Sequence, residues 1–296
     1  MRFITFDKNG VDQVGVRVGS DLVDLSLADP KLPRTLLALI QNDLLKQAGE
    51  AAMKAPASAH RSLEGLKYLP VIPRPPKFFG LGTNYASHVT ERPETPGFFI
   101  SSHYRLTGHN QPLHIPKKSK TLDHEVELAF VFKKPAWHVP AKNALDYVAG
   151  YTVFNDGSVR GYGTAITLAI HKSSDNTGPL GPEFVTPDEL PPGCDGLTIQ
   201  LRRNGKVVQK DNTKNMFWKI HEAIEMASSY MSFETGDVMT TGTCGGTVAD
   251  TNRGKDMRDE SLPFLKPGEV IESEVEGVGI LRNPIEMEPD SKTVKI

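Results

Sequence analysis

The chain has 296 residues, enough for one large domain or two ordinary ones. Lys and Arg total 34 against 36 Asp and Glu, a formal net charge of −2 that argues against a dedicated nucleic-acid binder. Hydrophobic residues make up 38% and charged residues 24%, which excludes a disordered chain, and 26 Gly with 22 Pro call for the many turns of a β-rich fold.

Only two cysteines occur, Cys194 and Cys244, so a disulfide scaffold and a Cys-based zinc site are both excluded. The pair points to a reducing compartment. No apolar run of about 18 residues predicts a membrane span. The first ten residues read as an alternating strand and a turn, without a secretory or transit signal, and the expected location is the cytoplasm.

In chain order, Phe3, Thr5, Val14, Val16 and Val18 sit in short alternating stretches split by Lys8-Asn9-Gly10 and Gly19-Ser20-Asp21. These predict hairpin strands. Leu36, Leu37, Ile40, Leu44 and Leu45 then predict a helix over about 35–51. Pro70, Pro73, Pro75 and Pro76 follow and rule out a helix or a central strand there. The segment reads as an extended connector between a small N-terminal α+β domain, 1–70, and a larger domain, 71–296. Further on, Asn204-Gly205 between two apolar stretches predicts a hairpin. Met216, Phe217, Ile220, Ile224, Ala227 and Met231 predict a helix over roughly 214–231. The tail from Glu286 is polar and is expected to fray.

The most informative stretch is Asp123-His124-Glu125-Val126-Glu127-Leu128-Ala129-Phe130-Val131-Phe132. With a side-chain period of two, Val126, Leu128, Phe130 and Phe132 share one face, and the other begins with Glu125 and Glu127. Two carboxylates about 7 Å apart on one strand repel unless a positive group joins them. A solvated strand end is the plainer alternative; an oxygen-ligated hard cation is the sharper one. A second strand, Tyr151-Thr152-Val153-Phe154-Asn155, ends in Asp156 before Gly157 and Ser158. Asp156 there is either a turn residue or a third oxygen ligand.

Several blocks together resemble the fumarylacetoacetate hydrolase family. They are Gly82-Thr83-Asn84-Tyr85-Ala86-Ser87-His88 with Glu91, Glu125-Val126-Glu127, Gly150 through Arg160, and His171-Lys172-Ser173. Asn204-Gly205, Gly236 through Thr243 and Gly277-Val278-Gly279 complete the order. The resemblance implies a mostly β fold (α+β), a catalytic β-roll enclosing a divalent metal, and a homodimer. It implies Glu125, Glu127 and Asp156 as metal ligands, Lys172 as the active-site lysine, and His88 with Glu91 as the water-activating dyad of hydrolytic members. Mg2+ is the expected ion, with Mn2+ or Ca2+ also compatible.

The chemistry of the residues agrees with these roles. Three residues apart, His88 and Glu91 share a face if the turn is helical, and a carboxylate beside an imidazole orients it as a base. Lys172 would stabilise charge developing on an enolate oxygen. Arg160 suits a bidentate grip on a carboxylate, or else a structural salt bridge. Thr243, in a loop over the pocket, is a candidate contact for a substrate carboxylate, and Tyr85 and Tyr162 complete the candidate substrate wall. The sequence departs from the family in that wall. Phe98-Phe99 is followed by Ile100-Ser101-Ser102 instead of a lysine, Gly157 stands where a larger residue is frequent, and Thr241-Gly242-Thr243 is followed by Cys244.

Other motifs fail. His221-Glu222-Ala223-Ile224-Glu225 lacks the second histidine of a zinc-protease helix, and Gly254-Lys255-Asp256 lacks the Ser or Thr of a phosphate loop. The expected function is hydrolysis of a carbon–carbon bond in a β-diketo acid such as an acylpyruvate or fumarylpyruvate, through dyad-activated water and a metal-stabilised enolate. The partner is thus a small 2-oxo acid, with no nucleic acid and no membrane. The alternative is an oxaloacetate-type decarboxylase, or an isomerase of an unsaturated 2-oxo diacid, on the same site.

Overall fold

Turn chemistry shapes the first strands. In a computed structural model, which describes residues 1–89, 91–161 and 168–290, Arg2–Lys8 and Val11–Val18 pair antiparallel. Asn9 and Gly10 join them at φ 59° and 83°, the positive values that a type I′ turn requires. Asp21–Asp24 and His60–Ser62 extend the ribbon. The hairpin expected around Asn204-Gly205 forms in the same way, between Thr198–Arg203 and Lys206–Asn212.

Both predicted helices are shorter than their periodicity. The first is two helices, Leu36–Gln41 and Leu45–Met53. Asp43 sits at φ 55°, and the Asn42 side chain takes the Ala38 carbonyl, so the first helix ends there. The second helix covers Ile220–Tyr230 only. Before it come a 3-10 turn, Thr213–Asn215, and a bend held by Asn84, whose Oδ1 accepts the Trp218 N–H at 2.8 Å and whose Nδ2 donates to the Trp218 carbonyl at 3.1 Å. Glu222 accepts the Lys219 N–H at 2.8 Å and so caps this helix.

A large sheet organises the molecule. Its order is His60–Ser62, Asp21–Asp24, Val11–Val18, Arg2–Lys8, Gly178–Val185, Val148–Asn155, Val126–Phe132, Val238–Thr240, Phe78–Gly82 and Gly97–Ser101. A five-stranded sheet of Lys206–Asn212, Thr198–Arg203, Val270–Val275, Gly279–Met287 and Leu113–Ile115 packs against it. The architecture is mostly β, as the composition suggested. Arg2 pairs with Val185 across the expected domain boundary, and Phe3, Val16 and Leu36 share a core with Phe78, Phe154 and Leu180. The proline segment is tied down in the same region: Thr5 Oγ1 donates to the Val71 carbonyl at 2.7 Å, and Val71 N–H to the Leu180 carbonyl at 3.3 Å.

Val126–Phe132 lies at the centre and is buried throughout. Val126, Leu128, Phe130 and Phe132 enter the core under the five-stranded sheet, with Ile199, Leu201, Ile271 and Leu281. Ala129 and Val131 enter the other core, beside Phe78 and Phe184. Each buried phenylalanine contributes about 2 kcal/mol of transfer free energy. A one-residue slip would exchange the two sets between cores packed for different side chains, so the position of its two glutamates is fixed by packing. Among the described residues no helix is long and apolar enough to cross a membrane.

Candidate metal centre and active site

Register brings the carboxylates together. Val126–Phe132 and Val148–Asn155 are antiparallel neighbours with Val126 opposite Asn155. Glu125, just before one strand, therefore meets Asp156, just after the other, and the Asp156 N–H donates to the Glu125 carbonyl at 2.8 Å. Glu127 lies two residues along, on the same side. One oxygen from each of Glu125, Glu127 and Asp156 lies within 4.8 Å of the others, and all three residues are buried. A Cβ at Gly157 would come 2.1 Å from the Thr177 carbonyl, so the backbone leaves Asp156 through a space that only glycine fits.

Cations compensate two of the three. Lys172 Nζ, on the helix Leu168–Ser173, donates to Glu125 Oε2 and Asp156 Oδ2, each at 2.7 Å, and to Ser158 Oγ at 2.6 Å. Arg160 pairs with Glu125, and with Asp123 Oδ2 at 3.0 Å. Arg105, fully enclosed, places Nη2 at 2.6 Å from Asp156 Oδ1. Glu127 accepts the Gly242 N–H at 2.9 Å and forms no ion pair among the described residues. Burial, with the charges of Asp156 and Glu125 next to it, pushes the Glu127 carboxyl well above the carboxylate range. Burial would raise Glu125 as well, but Lys172 and Arg160 outweigh it and hold that carboxyl at about 2. The ammonium of Lys172 resists the lowering effect of burial because Asp156 and Glu125 face it, and its pKa is raised.

The donor set fits a hard divalent cation. It consists of oxygens only, and Glu127 brings a buried carboxyl that forms no ion pair among the described residues.

The histidine finds a different acid from the expected one. His88 Nδ1 lies 2.8 Å from Asp250 Oδ2, while Glu91 is exposed. His88 and Val89 close a tight turn onto the Tyr85 carbonyl, and the ring is held by Asp250 in place of Glu91. Asp250 is firmly set. It accepts the N–H groups of Gly246 and Thr247 and belongs to a capping box with Thr247. Burial tends to raise its carboxyl, but the bond from His88 outweighs this and keeps it low. With Nδ1–H given to Asp250, Nε2 of His88 is left as the proton acceptor.

The remaining expected contacts divide. Thr243 is buried on the cavity wall, but its hydroxyl donates to the Val126 carbonyl and accepts from Gln209 Nε2, both at 2.9 Å. Arg160 also lines the cavity, yet its guanidinium is engaged by Asp123 and Glu125, which is the structural salt bridge weighed above. Tyr85 is a correction. Its ring is fully enclosed in the core, its backbone bridges to Met216, and it does not line the cavity. Tyr162 lies outside the described residues. Burial pushes the Cys244 thiol up to about 12, which leaves it inert as a nucleophile.

The cavity holds about 250 Å³. Leu81, Phe98, Phe99 and Leu168 form its apolar side, and His88, Lys172 and the three carboxylates its polar side. The roles of two site residues escaped the sequence reading. Asp250 left a trace in the Thr-x-x-Asp spacing of a helix start, which says nothing about His88. Arg105 stands out in the sequence only as an unusual residue of the loop 94–107, where substrate choice is expected to be decided; its place beside Asp156 left no trace, because an arginine in a polar loop is ordinarily solvated.

Residues 77–286 match the family model for the fumarylacetoacetate (FAA) hydrolase C-terminal domain, and the chain belongs to that family. Over 306 residues it is 31% identical to the mitochondrial oxaloacetate tautomerase Fahd2a of Rattus norvegicus, covering 96% of this chain and 91% of that one. Among solved structures, a putative HpcE protein from Mycobacterium smegmatis superposes with a TM-score of 0.82 at 28% identity, over 98% of this chain and 100% of that one. The maleylpyruvate hydrolase of Sphingobium sp. SYK-6, in complex with manganese(II) and pyruvate, superposes with a TM-score of 0.79 at 25% identity, over 98% and 100%. Two of these similar proteins are named as enzymes, one a hydrolase and one a tautomerase.

Proposed function

We propose that this chain hydrolyses a carbon–carbon bond in a β-diketo acid of the acylpyruvate or fumarylpyruvate kind, with a divalent cation held by Glu125, Glu127 and Asp156. The observation that carries the reading is one cavity that unites His88, backed by Asp250, with Lys172 and the three carboxylates. A divalent cation held there would supply Lewis-acid charge and a template for the carboxylate and 2-oxo oxygens of such an acid. Mg2+ is the first choice, and Mn2+ the second because the similar Sphingobium hydrolase contains it.

The chain's own residues do the rest. His88 takes a proton from water at Nε2 while Asp250 holds Nδ1–H and steadies the imidazolium. The hydroxide adds to the 4-oxo carbon, the bond to carbon 3 breaks, and its electron pair passes to the 2-oxo oxygen as an enolate. The Lys172 ammonium stabilises that charge. His88 then returns a proton to carbon 3. Phe98, Phe99, Leu81 and Leu168 keep bulk water from the enolate.

A second reading is favoured by the tautomerase relative, which aligns over 96% of this chain. There His88 moves a proton between carbon and oxygen of an oxaloacetate-type diacid, and no water attacks. One panel separates the two. Purified protein with Mg2+ or Mn2+ is given acylpyruvates, fumarylpyruvate and oxaloacetate, and enol absorbance, pyruvate and CO2 are followed together. Hydrolysis releases pyruvate and a second acid. Tautomerisation changes absorbance with neither pyruvate nor CO2, and decarboxylation of oxaloacetate releases both. Turnover of oxaloacetate without cleavage of any acylpyruvate or fumarylpyruvate would sink the first reading.

A further inference from the structure

We infer that Arg105 is the positioning residue of Asp156, fixing one of its carboxylate oxygens so that the other is the one presented to the cation. Arg105 is 0% exposed, and a guanidinium that deep must be matched by fixed partners. Nη2 donates to the Gly157 carbonyl at 2.9 Å and lies 2.6 Å from Asp156 Oδ1 in an ion pair that lacks hydrogen-bond alignment, while Nη1 donates to Ser101 Oγ at 3.2 Å. The planar fork thus spans the carboxylate, the next peptide and the end of the strand Gly97–Ser101, which carries Phe98 and Phe99 of the cavity wall.

The two oxygens of Asp156 face different kinds of cation. Oδ2 meets Lys172, a cavity-lining residue on a flexible stem. Oδ1 meets Arg105, which is enclosed by protein, does not line the cavity and cannot leave. The surroundings are shaped to the fork. A Cβ at Gly178 would come 2.8 Å from Arg105 Nε, and the Phe154 ring lies 5.3 Å from its Cζ. Buried partners of ligand residues orient them, and their loss typically costs about 10- to 100-fold in metal affinity.

This inference rests on reading the three carboxylates as the cation site, and the test separates the two. Mn2+ alone is the probe, its binding to the full chain read from the loss of the free-ion EPR signal and by calorimetry. Arg105→Lys keeps the charge and loses the fork, so a changed affinity reports geometry and not electrostatics. We expect its Mn2+ affinity to fall about 10-fold or more, with Asp156→Asn weaker still. Gly178→Ala retains Arg105 but crowds Nε, and should weaken binding in the same direction; it replaces Arg105→Lys as the deciding variant if the latter does not fold. Binding within about twofold of wild type in the deciding variant overturns the role of Arg105. Failure of the wild-type chain to bind Mn2+ overturns the cation site itself, and this inference with it.

Discussion

His88 and Asp250 are 162 positions apart in the chain, and their side chains meet at 2.8 Å, Nδ1 to Oδ2. The pair is an orienting acid and an imidazole, so its catalytic value depends on the tautomer that Asp250 enforces. We expect His88→Ala to lower kcat by about 100-fold or more, and Asp250→Asn by about 10-fold or more. Glu91→Gln should stay within about threefold of wild type, because Glu91 is exposed and His88 pairs with Asp250. Steady-state kinetics of the three variants decide the matter. A collapse in Glu91→Gln with Asp250→Asn intact would assign the pair to the wrong acid.

The three carboxylates should answer differently to neutralisation. Glu125→Gln and Asp156→Asn leave Lys172, and Arg160 or Arg105, facing an uncharged amide in the interior. Breaking such a buried pair costs about 3 kcal/mol or more. Glu127→Gln removes the carboxyl that forms no ion pair among the described residues, so the metal-free protein should be as stable as wild type or more so. All three should lose metal-dependent turnover. Thermal melts in chelator give the comparison, and a drop in Glu127→Gln as large as in Asp156→Asn would refute the asymmetry.

Periodicity in Val126–Phe132 gave the central strand and the shared side of Glu125 and Glu127, because a strand with two packed faces leaves its pattern in the sequence. Local turn chemistry at Asn9-Gly10 and Asn204-Gly205 was equally legible. What depended on distant partners was not. The helix start at Ile220 is displaced by Asn84, more than a hundred residues away, and the partner of His88 comes from another helix's N-terminus. Tyr85 is of a type that suits a pocket wall, but the fold encloses its ring in the core. The resemblance placed the ligands and Lys172 on one site. It could not place Arg105, since the identity of a buried counterion follows from which side chains the fold happens to enclose.

Lys172 permits a test in which affinity and turnover part company. Its ammonium bridges Glu125 and Asp156 and so occupies part of the negative field that attracts a cation. Lys172→Met removes that competitor together with the charge that would stabilise an enolate. Turnover should fall about 100-fold or more, while Mn2+ binding is unchanged or tighter. A parallel loss of both would mean that Lys172 serves to assemble the cation site instead of acting on the substrate.

The pH dependence of stability should be carried in part by a histidine remote from this chemistry. His109 packs edge-on against Tyr68 at 4.8 Å between ring centroids, and its Nδ1 accepts the Arg282 N–H at 3.1 Å. Burial first, and then the Arg282 charge, lower its pKa from 6.5 to about 4. The folded chain therefore keeps His109 neutral where the unfolded chain protonates it. Between those two values the unfolded state binds more protons, so stability rises with pH across that window and is lost as the pH falls from 6.5 towards about 4. The contribution is no more than about 3 kcal/mol. His109→Gln keeps a hydrogen-bond acceptor and cannot titrate, so its melting temperature should fall less than that of wild type on acidification. Chemical denaturation at a series of pH values measures both slopes, and equal slopes would place the acid sensitivity elsewhere.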